Sequence, residues 1–325
     1  MPYYRPGTGK TITVVEAMLQ VLFWSSHAKI LACAPSNSAA DLIASRLTAT
    51  LPPKDLFRFY APSRPIDSIP DELQEYVYTD QNGAFAVPSD PSPQAALNSF
   101  RVVVTTCQSG SIAHGIGLPR GLFTHIFIDE AGQATEPETM VSIRTMAGTG
   151  TKVVLSGDPK QLGPIIRSGI AMELGLGQSY LERLMGLDAY DLKSHYAKRY
   201  IKMSTRLFFW SLFAFYFSSI VKLTKNFRSH GDILSFPNER FYNGDLEQCA
   251  DPTTINYFLN ASFLPSKQFP IIFNAVLGKD DRESSSPSFF NIDEIAVVRE
   301  YVDKLKGHRK YPTSTFVLFQ LSLTG

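Results

Sequence analysis

The residues with the clearest chemical potential form a loop, Gly7-Thr8-Gly9-Lys10-Thr11, placed where a helical pattern begins. Small residues there let backbone amides approach phosphate oxygens, and the amino end of a helix favours negative charge. Lys10 would reach outer phosphates, and the Thr11 hydroxyl would sit on Mg²⁺. Taken alone the loop also reads as an ordinary glycine turn, because Gly-x-x-x-x-Gly-Lys-Thr requires a glycine where this chain has Tyr4. Asp129-Glu130 closes an apolar run, and an acidic pair there is costly unless it binds metal or does chemistry. Asp129 suits a Mg²⁺ shell, Glu130 a general base that orients water, and Gln133 lies close enough to help hold a nucleotide. Gln161, in Gly157-Asp158-Pro159-Lys160-Gln161-Leu162, suits a sensor of a terminal phosphate. Phe227-Arg228 offers a flat ring beside a guanidinium, suited to stacking a base and stabilising a transferring phosphoryl group.

The elements that must position these groups follow from apolar periodicity. Ile12, Val15, Met18, Leu19, Leu22 and Phe23 recur at helical spacing after the loop. Residues 29–34 read as a short buried strand, followed by a polar turn and a second helix with Ala40, Leu42, Ile43 and Leu47 on one side. Residues 52–93 are proline-dense and weakly periodic apart from an apolar patch at 56–60, and are expected to be an excursion from the sheet. The sheet is expected to return at 102–104, 124–128 and 152–155. Each of these runs ends in the polar residues that interest us: Thr105-Thr106, Asp129-Glu130 and Gly157-Asp158. Ligands of open parallel sheets bind at the carboxyl edge, so these positions agree with one shared site. Residues 292–305 predict an amphipathic helix through Ile295, Val298, Tyr301, Val302 and Leu305, part of a second, shorter unit.

Composition excludes several classes. A chain of 325 residues with 44% hydrophobic content can bury ordinary globular cores. A net charge of +1 carries no global basic signal, so any phosphate-binding surface must be local. Three cysteines without Cys-x-x-Cys spacing indicate neither a disulfide framework nor a zinc site, and fit a reducing, intracellular compartment. No signal peptide is expected from the first residues. Residues 207–221 are apolar on every side, yet shorter than the ~20 residues a membrane span needs.

The order of the motifs is decisive: GTGKT, APSNSAAD, TTC, DEAGQ, GDPKQLGP, NFRSH. From Pro6 to about Leu305, leaving out one segment, the chain resembles the superfamily 1 RNA helicases of the nonsense-decay clade, and within them the Armitage and silencing-defective group. The stretches ILACAPSNSAAD, LFTHIFIDE and FYNGDLE are similar to that group too. The resemblance implies a RecA-like P-loop NTPase, α/β with a parallel sheet flanked by helices: a first domain over 1–221 and a partial second over 222–325. It implies ATP-driven translocation on or remodelling of RNA, in post-transcriptional silencing or RNA decay, with 5′ to 3′ polarity. ATP and Mg²⁺ would be served by Gly7, Thr8, Gly9, Lys10, Thr11, Asp129, Glu130, Gln133, Gln161 and Arg228, with Phe227 stacking the adenine. Ser36, Asn37, Thr105 and Thr106 would touch the backbone of single-stranded RNA without regard to sequence. Ribonucleoprotein partners, a cytoplasmic location with ribonucleoprotein granules, and no membrane complete the expectation.

Three features depart from the family pattern. The loop lacks its first glycine and the strand before it, residues 198–219 interrupt a path that is short in the family, and residues 314–325 end before the remaining motifs, including a second arginine. They predict that residues 198–219 are extraneous to the functional protein, and that the chain as written binds RNA weakly and hydrolyses little ATP. Two alternatives stay open beside the RNA motor: a catalytically impaired RNA-binding fragment, and a DNA helicase of the same clade.

Overall fold

A computed structural model of the chain describes residues 7–190, 220–282 and 289–307. The segment 198–219, the tail 314–325 and the residues before Gly7 lie outside the described residues. The described residues fall into two compact units: residues 7–190 with 220–228 and 241–249, and residues 229–240 with 250–282 and 289–307.

The first unit is built on a five-stranded parallel sheet in the order β2-β3-β1-β4-β5. Its strands are β1 (Ile30–Ala34), β2 (Leu56–Arg58), β3 (Val102–Thr106), β4 (His125–Ile128) and β5 (Lys152–Leu155). Because side chains alternate along a strand, the central strands are apolar on both faces and need cover on both. Ile30, Ala32 and Ala34 of β1 meet α1 (Lys10–Trp24) and α2 (Asn37–Thr48), which bury Val14, Val15, Met18 and Leu22, and Ala40, Ile43, Ala44 and Leu47. Leu31 and Cys33 face the other way, into a core with Val103, Ile126, Ile128 and Met146. Helices α3 (Pro93–Ser99), α4 (Ile112–Gly115) and α5 (Glu136–Met146) contribute to that side. The α/β class with a parallel sheet flanked by helices is thus the observed one.

Several expectations change in detail. Leu56–Arg58 is a fully buried edge strand paired with β3, so the apolar patch belongs to the sheet and is not part of an excursion. Ile12, Phe23 and Leu42 are exposed rather than core, and Val14 takes the place expected of Ile12. The helix near residue 300 spans Ile292–Gly307, with Val298, Tyr301, Val302 and Leu305 half-buried but Ile295 exposed. In the second unit it follows a short antiparallel pair, Asp280–Arg282 with Phe289–Asn291. Among the described residues no helix is long and apolar enough to cross a membrane.

Candidate nucleotide and nucleic-acid site

Parallel register brings the strand ends to one edge of the first unit: Ala34 lies beside Thr106, Cys33 beside Ile128, and Ile128 beside Leu155. The residues that follow these strands therefore converge, although they are far apart in sequence.

The phosphate loop opens α1. Gly9, the residue before the helix, has φ 77°, a left-handed conformation that a side chain would strain. Thr11, in the first turn, donates its hydroxyl to Asp129 Oδ2 at 2.9 Å, across 118 residues of sequence. Asp129 is 1% exposed, and its other oxygen accepts from Ser156 Oγ at 2.8 Å and from the Glu130 amide at 3.0 Å. A buried carboxylate with three donors is fixed in orientation. Glu130 follows at φ 58°, uncommon for a residue with a side chain, and Gln133 Nε2 donates to its Oε2 at 3.3 Å.

The β5 loop packs directly behind this acidic turn. A Cβ at Gly157 would lie 2.7 Å from the Gly132 nitrogen, so the two backbones touch only because both positions are glycine. Asp158 forms the hub there. Its Oδ2 lies 3.5 Å from Lys10 Nζ and accepts from Gln161 Nε2 at 2.5 Å and from the Tyr242 hydroxyl at 2.8 Å. Burial works against its charge, but Lys10 and then the donors from Gln161, Lys160 and Tyr242 prevail, holding the carboxyl below the ordinary range. The same contact pushes the Tyr242 phenol upward, first through burial and then through Asp158.

Arg228 and Phe227 belong to the first unit as well. The Phe227 amide donates to the Gly7 carbonyl at 2.9 Å, and a Cβ on Gly7 would run into Arg228. Phe227 is 59% exposed, with its ring on the surface. A cleft of about 100 Å³ is lined by Gly7, Thr8, Gly9, Lys10, Thr11 and Arg228 together with Ile12, Leu42 and Arg46. Two of the three apolar residues that fail to join the core, Ile12 and Leu42, thus wall this cleft.

Ser36, Asn37 and Thr106 gather at the same carboxyl edge. Ser36 caps α2 by accepting the Ala39 amide at 3.2 Å, and Asn37 begins the helix. Thr105 does not join them as a surface contact. Strand alternation turns it into the sheet beside Cys33, where it is fully buried and its hydroxyl has no hydrogen-bond partner among the described residues. The expected Thr105 contact to a bound strand is corrected on that ground.

Motif reading singled out Lys10, Thr11, Asp129, Glu130, Gln133, Gln161 and Arg228, and the contacts above add Ser156, Tyr242 and Arg46 around them. Ser156 carried a signal, since it stands one residue before Gly157 at a strand end. Tyr242 stands in the FYNGDLE stretch of the resemblance but nothing there ties it to Asp158, and Arg46 carried no signal, because only chain packing brings the two near.

Hard oxygen donors, one carboxylate and one hydroxyl, suit Mg²⁺, which keeps waters and takes few protein ligands when it also holds phosphate. Thr11 and Asp129 therefore fit that ion. No cluster of three or more His, Cys, Asp or Glu exists among the described residues that would instead favour a cage for another metal.

Family comparison follows the geometry closely. A family model described as an AAA domain matches residues 4–84 and 73–169, and a second AAA domain model matches 204–318. The human RNA helicase Mov10l1 is 41% identical over 298 residues, 91% of this chain and 23% of the relative. The helicase mov-10-B.1 of Danio rerio is 42% identical over 307 residues, 92% of this chain and 28% of the relative. The RNA helicase armi of Drosophila melanogaster is 33% identical over 316 residues, covering 90% of this chain and 26% of the relative. The chain thus spans 23–28% of the length of these curated relatives.

Proposed function

Because the chain belongs to the AAA-domain family, within the superfamily 1 RNA helicase clade, we propose that it is the ATP-hydrolysing part of an RNA helicase that translocates on or remodels RNA. The observation that carries this reading is the Thr11 to Asp129 contact, which joins a phosphate-loop hydroxyl to a strand-end carboxylate in one buried, fully donated constellation. Backbone amides from Gly7 to Lys10 face phosphates, and Lys10 exchanges its Asp158 partner for them. Mg²⁺, when bound by Thr11 and Asp129, neutralises charge on the phosphates. Glu130, oriented by Gln133, holds and deprotonates the attacking water. Gln161 lies beside Asp158 and senses the terminal phosphate through the same hub. Arg228 contributes positive charge at the loop, and the exposed ring of Phe227 is free to stack on adenine.

Ser36, Asn37 and Thr106 contact the sugar-phosphate backbone at the sheet edge, which suits movement along any sequence. In this reading a second RecA-like domain runs over 222–325, with residues 222–228 and 241–249 of that span packed in the first compact unit. The names of armi and Mov10l1, RNA helicases 33% and 41% identical to this chain, support RNA over DNA. A role in RNA silencing or decay within cytoplasmic ribonucleoprotein assemblies is part of the same proposal. The test is ATP hydrolysis, with and without oligouridine or oligothymidine, by a version of the protein in which the first strand and the remaining motifs are restored, beside the chain as written, whose own turnover is expected to be low. Stimulation by RNA above DNA is expected. Stimulation by DNA alone would replace the RNA reading, and RNA binding without any hydrolysis would leave an RNA-binding fragment.

A further inference from the structure

Arg58 ends the edge strand β2 with no exposed surface at all, an unusual place for a guanidinium. Its charge is met by Asp41 on α2. Arg58 Nε donates to Asp41 Oδ1 at 2.9 Å, Arg64 Nη2 donates to Oδ2 at 3.1 Å, and the Tyr60 hydroxyl donates to Oδ1 at 2.8 Å. The Tyr60 ring lies 4.0 and 4.4 Å from the two guanidinium carbons. Two cations thus share one carboxylate beneath the start of α2, leaving net positive charge there. Stability is a weak explanation for such a cluster, because desolvating buried ions offsets most of what their attraction returns.

Arg58 Nη1 also donates to the carbonyls of Phe59 at 2.6 Å and Val104 at 3.4 Å, which tie it to the sheet edge. Its Nη2 reaches α2, donating to the Asn37 carbonyl at 3.5 Å and, more informatively, to Asn37 Oδ1 at 3.1 Å. A guanidinium has donors and no acceptor, so it selects the oxygen of the Asn37 carboxamide and turns the amide NH₂ to the opposite side. Asn37 is half-buried in the first turn of α2, between the exposed Ser36 and Ser38.

We propose that Arg58, anchored by Asp41, is a positioning residue for nucleic-acid binding: it locks the Asn37 carboxamide so that Nδ2 donates to a phosphate oxygen of the bound strand. This rests on the reading of Asn37 as a backbone contact. A freely flipping amide would present its oxygen to the phosphate half the time, and fixing it beforehand removes that cost from binding. The lock is sequence-independent, as a translocating contact requires.

The experiment measures binding of fluorescein-labelled oligouridine to the whole chain by anisotropy at one salt concentration, with thermal melts to verify folding. Asn37→Ala is expected to weaken binding about 10- to 150-fold, the scale of one hydrogen bond to a charged group. Asn37→Asp keeps an oxygen for Arg58 but offers a second oxygen to the phosphate, so it should weaken binding more than Asn37→Ala does. Arg58→Lys, which loses the fork, should weaken binding in the parent yet change it by less than about twofold in the Asn37→Ala background. Equal losses in both backgrounds, or no loss in the parent, would overturn the positioning role while leaving Asn37 as a contact. Should Arg58→Lys fail to fold, Asn37→Asp still decides: binding tighter than that of Asn37→Ala would overturn the orientation. If Asn37→Ala and Asn37→Asp both bind as the parent does, the Asn37 contact itself is wrong and the proposal falls with it.

Discussion

At the scale of single residues, the site separates carboxylates by what surrounds them. Asp129 is buried and holds three donors, which suits a fixed ligand, whereas Glu130 stands at φ 58° and accepts from the Gln133 side chain. Left-handed backbone at a residue with a Cβ costs about 1–3 kcal/mol and persists where the surroundings over-determine it. In a version with the first strand and the remaining motifs restored, Glu130→Gln should therefore keep nucleotide binding and lower turnover by roughly 10²- to 10⁴-fold, the usual worth of a positioned base, as read by fluorescent-nucleotide titration beside phosphate release. Hydrolysis at the parental rate would remove Glu130 from the chemistry. Lys10→Ala should act on binding instead, and an unchanged ATP affinity would count against the phosphate-loop assignment. Asp158 makes a prediction about pH. Its carboxyl is held below the ordinary range, so the stability it contributes is fully present above the unfolded value near ~4 and is lost as pH falls through the lowered folded value. Tyr242→Phe removes one donor, moves the folded value back toward the unfolded one, and should shift acid unfolding to higher pH while costing about 1 kcal/mol at neutral pH. Melting curves from pH 7 to pH 3 check it, and coincident acid limbs for variant and parent would show that Tyr242 does not hold the hub.

At the scale of elements, the acidic turn after β4 and the loop after β5 touch backbone to backbone. A Cβ on Gly157 would meet the Gly132 nitrogen at 2.7 Å and Leu181 at 2.8 Å, and only the leucine side chain is free to give way. Gly157→Ala is thus expected to destabilise the first unit by about 1–3 kcal/mol, as overpacking does. It should also slow hydrolysis, since pushing the loops apart moves Gln161 and Glu130 away from each other. A variant that melts and turns over like the parent would show that the two loops tolerate separation. Helices α1 and α2 show the limit of periodicity read from sequence. Ile12 and Leu42 fit the apolar stripe, yet both are exposed and wall the cleft at the phosphate loop. A stripe records that a face is apolar, and the partner of that face depends on how neighbouring helices cross.

At the scale of the whole molecule, cysteine reactivity reports on the packed sheet. Cys33 and Cys107 lie buried in the core beneath α5, and Cys249 is exposed. Burial pushes the Cys33 thiol up to about 12 and the Cys107 thiol well above its ordinary value, so neither supplies thiolate at neutral pH. The native chain should take up one equivalent of iodoacetamide at pH 8 and three in concentrated urea, as counted by mass spectrometry. Rapid native labelling of Cys33 or Cys107 would mean that the second core opens. The sequence alone determined the α/β class, the strand-end placement of Asp129, Glu130 and Asp158, and the helix start at Lys10, because each is written in neighbouring residues whose polarity and spacing act locally. Only the tertiary structure decided that Leu56–Arg58 pairs at the sheet edge, that Thr105 turns inward, and that Tyr242 and Ser156 complete the two carboxylate hubs. The Arg58 to Asp41 and Asn37 contacts belong with these, for they depend on which strand lies beside which. Parallel register is set by the sum of side-chain packing on both faces of a sheet, and no local pattern of residues carries that sum.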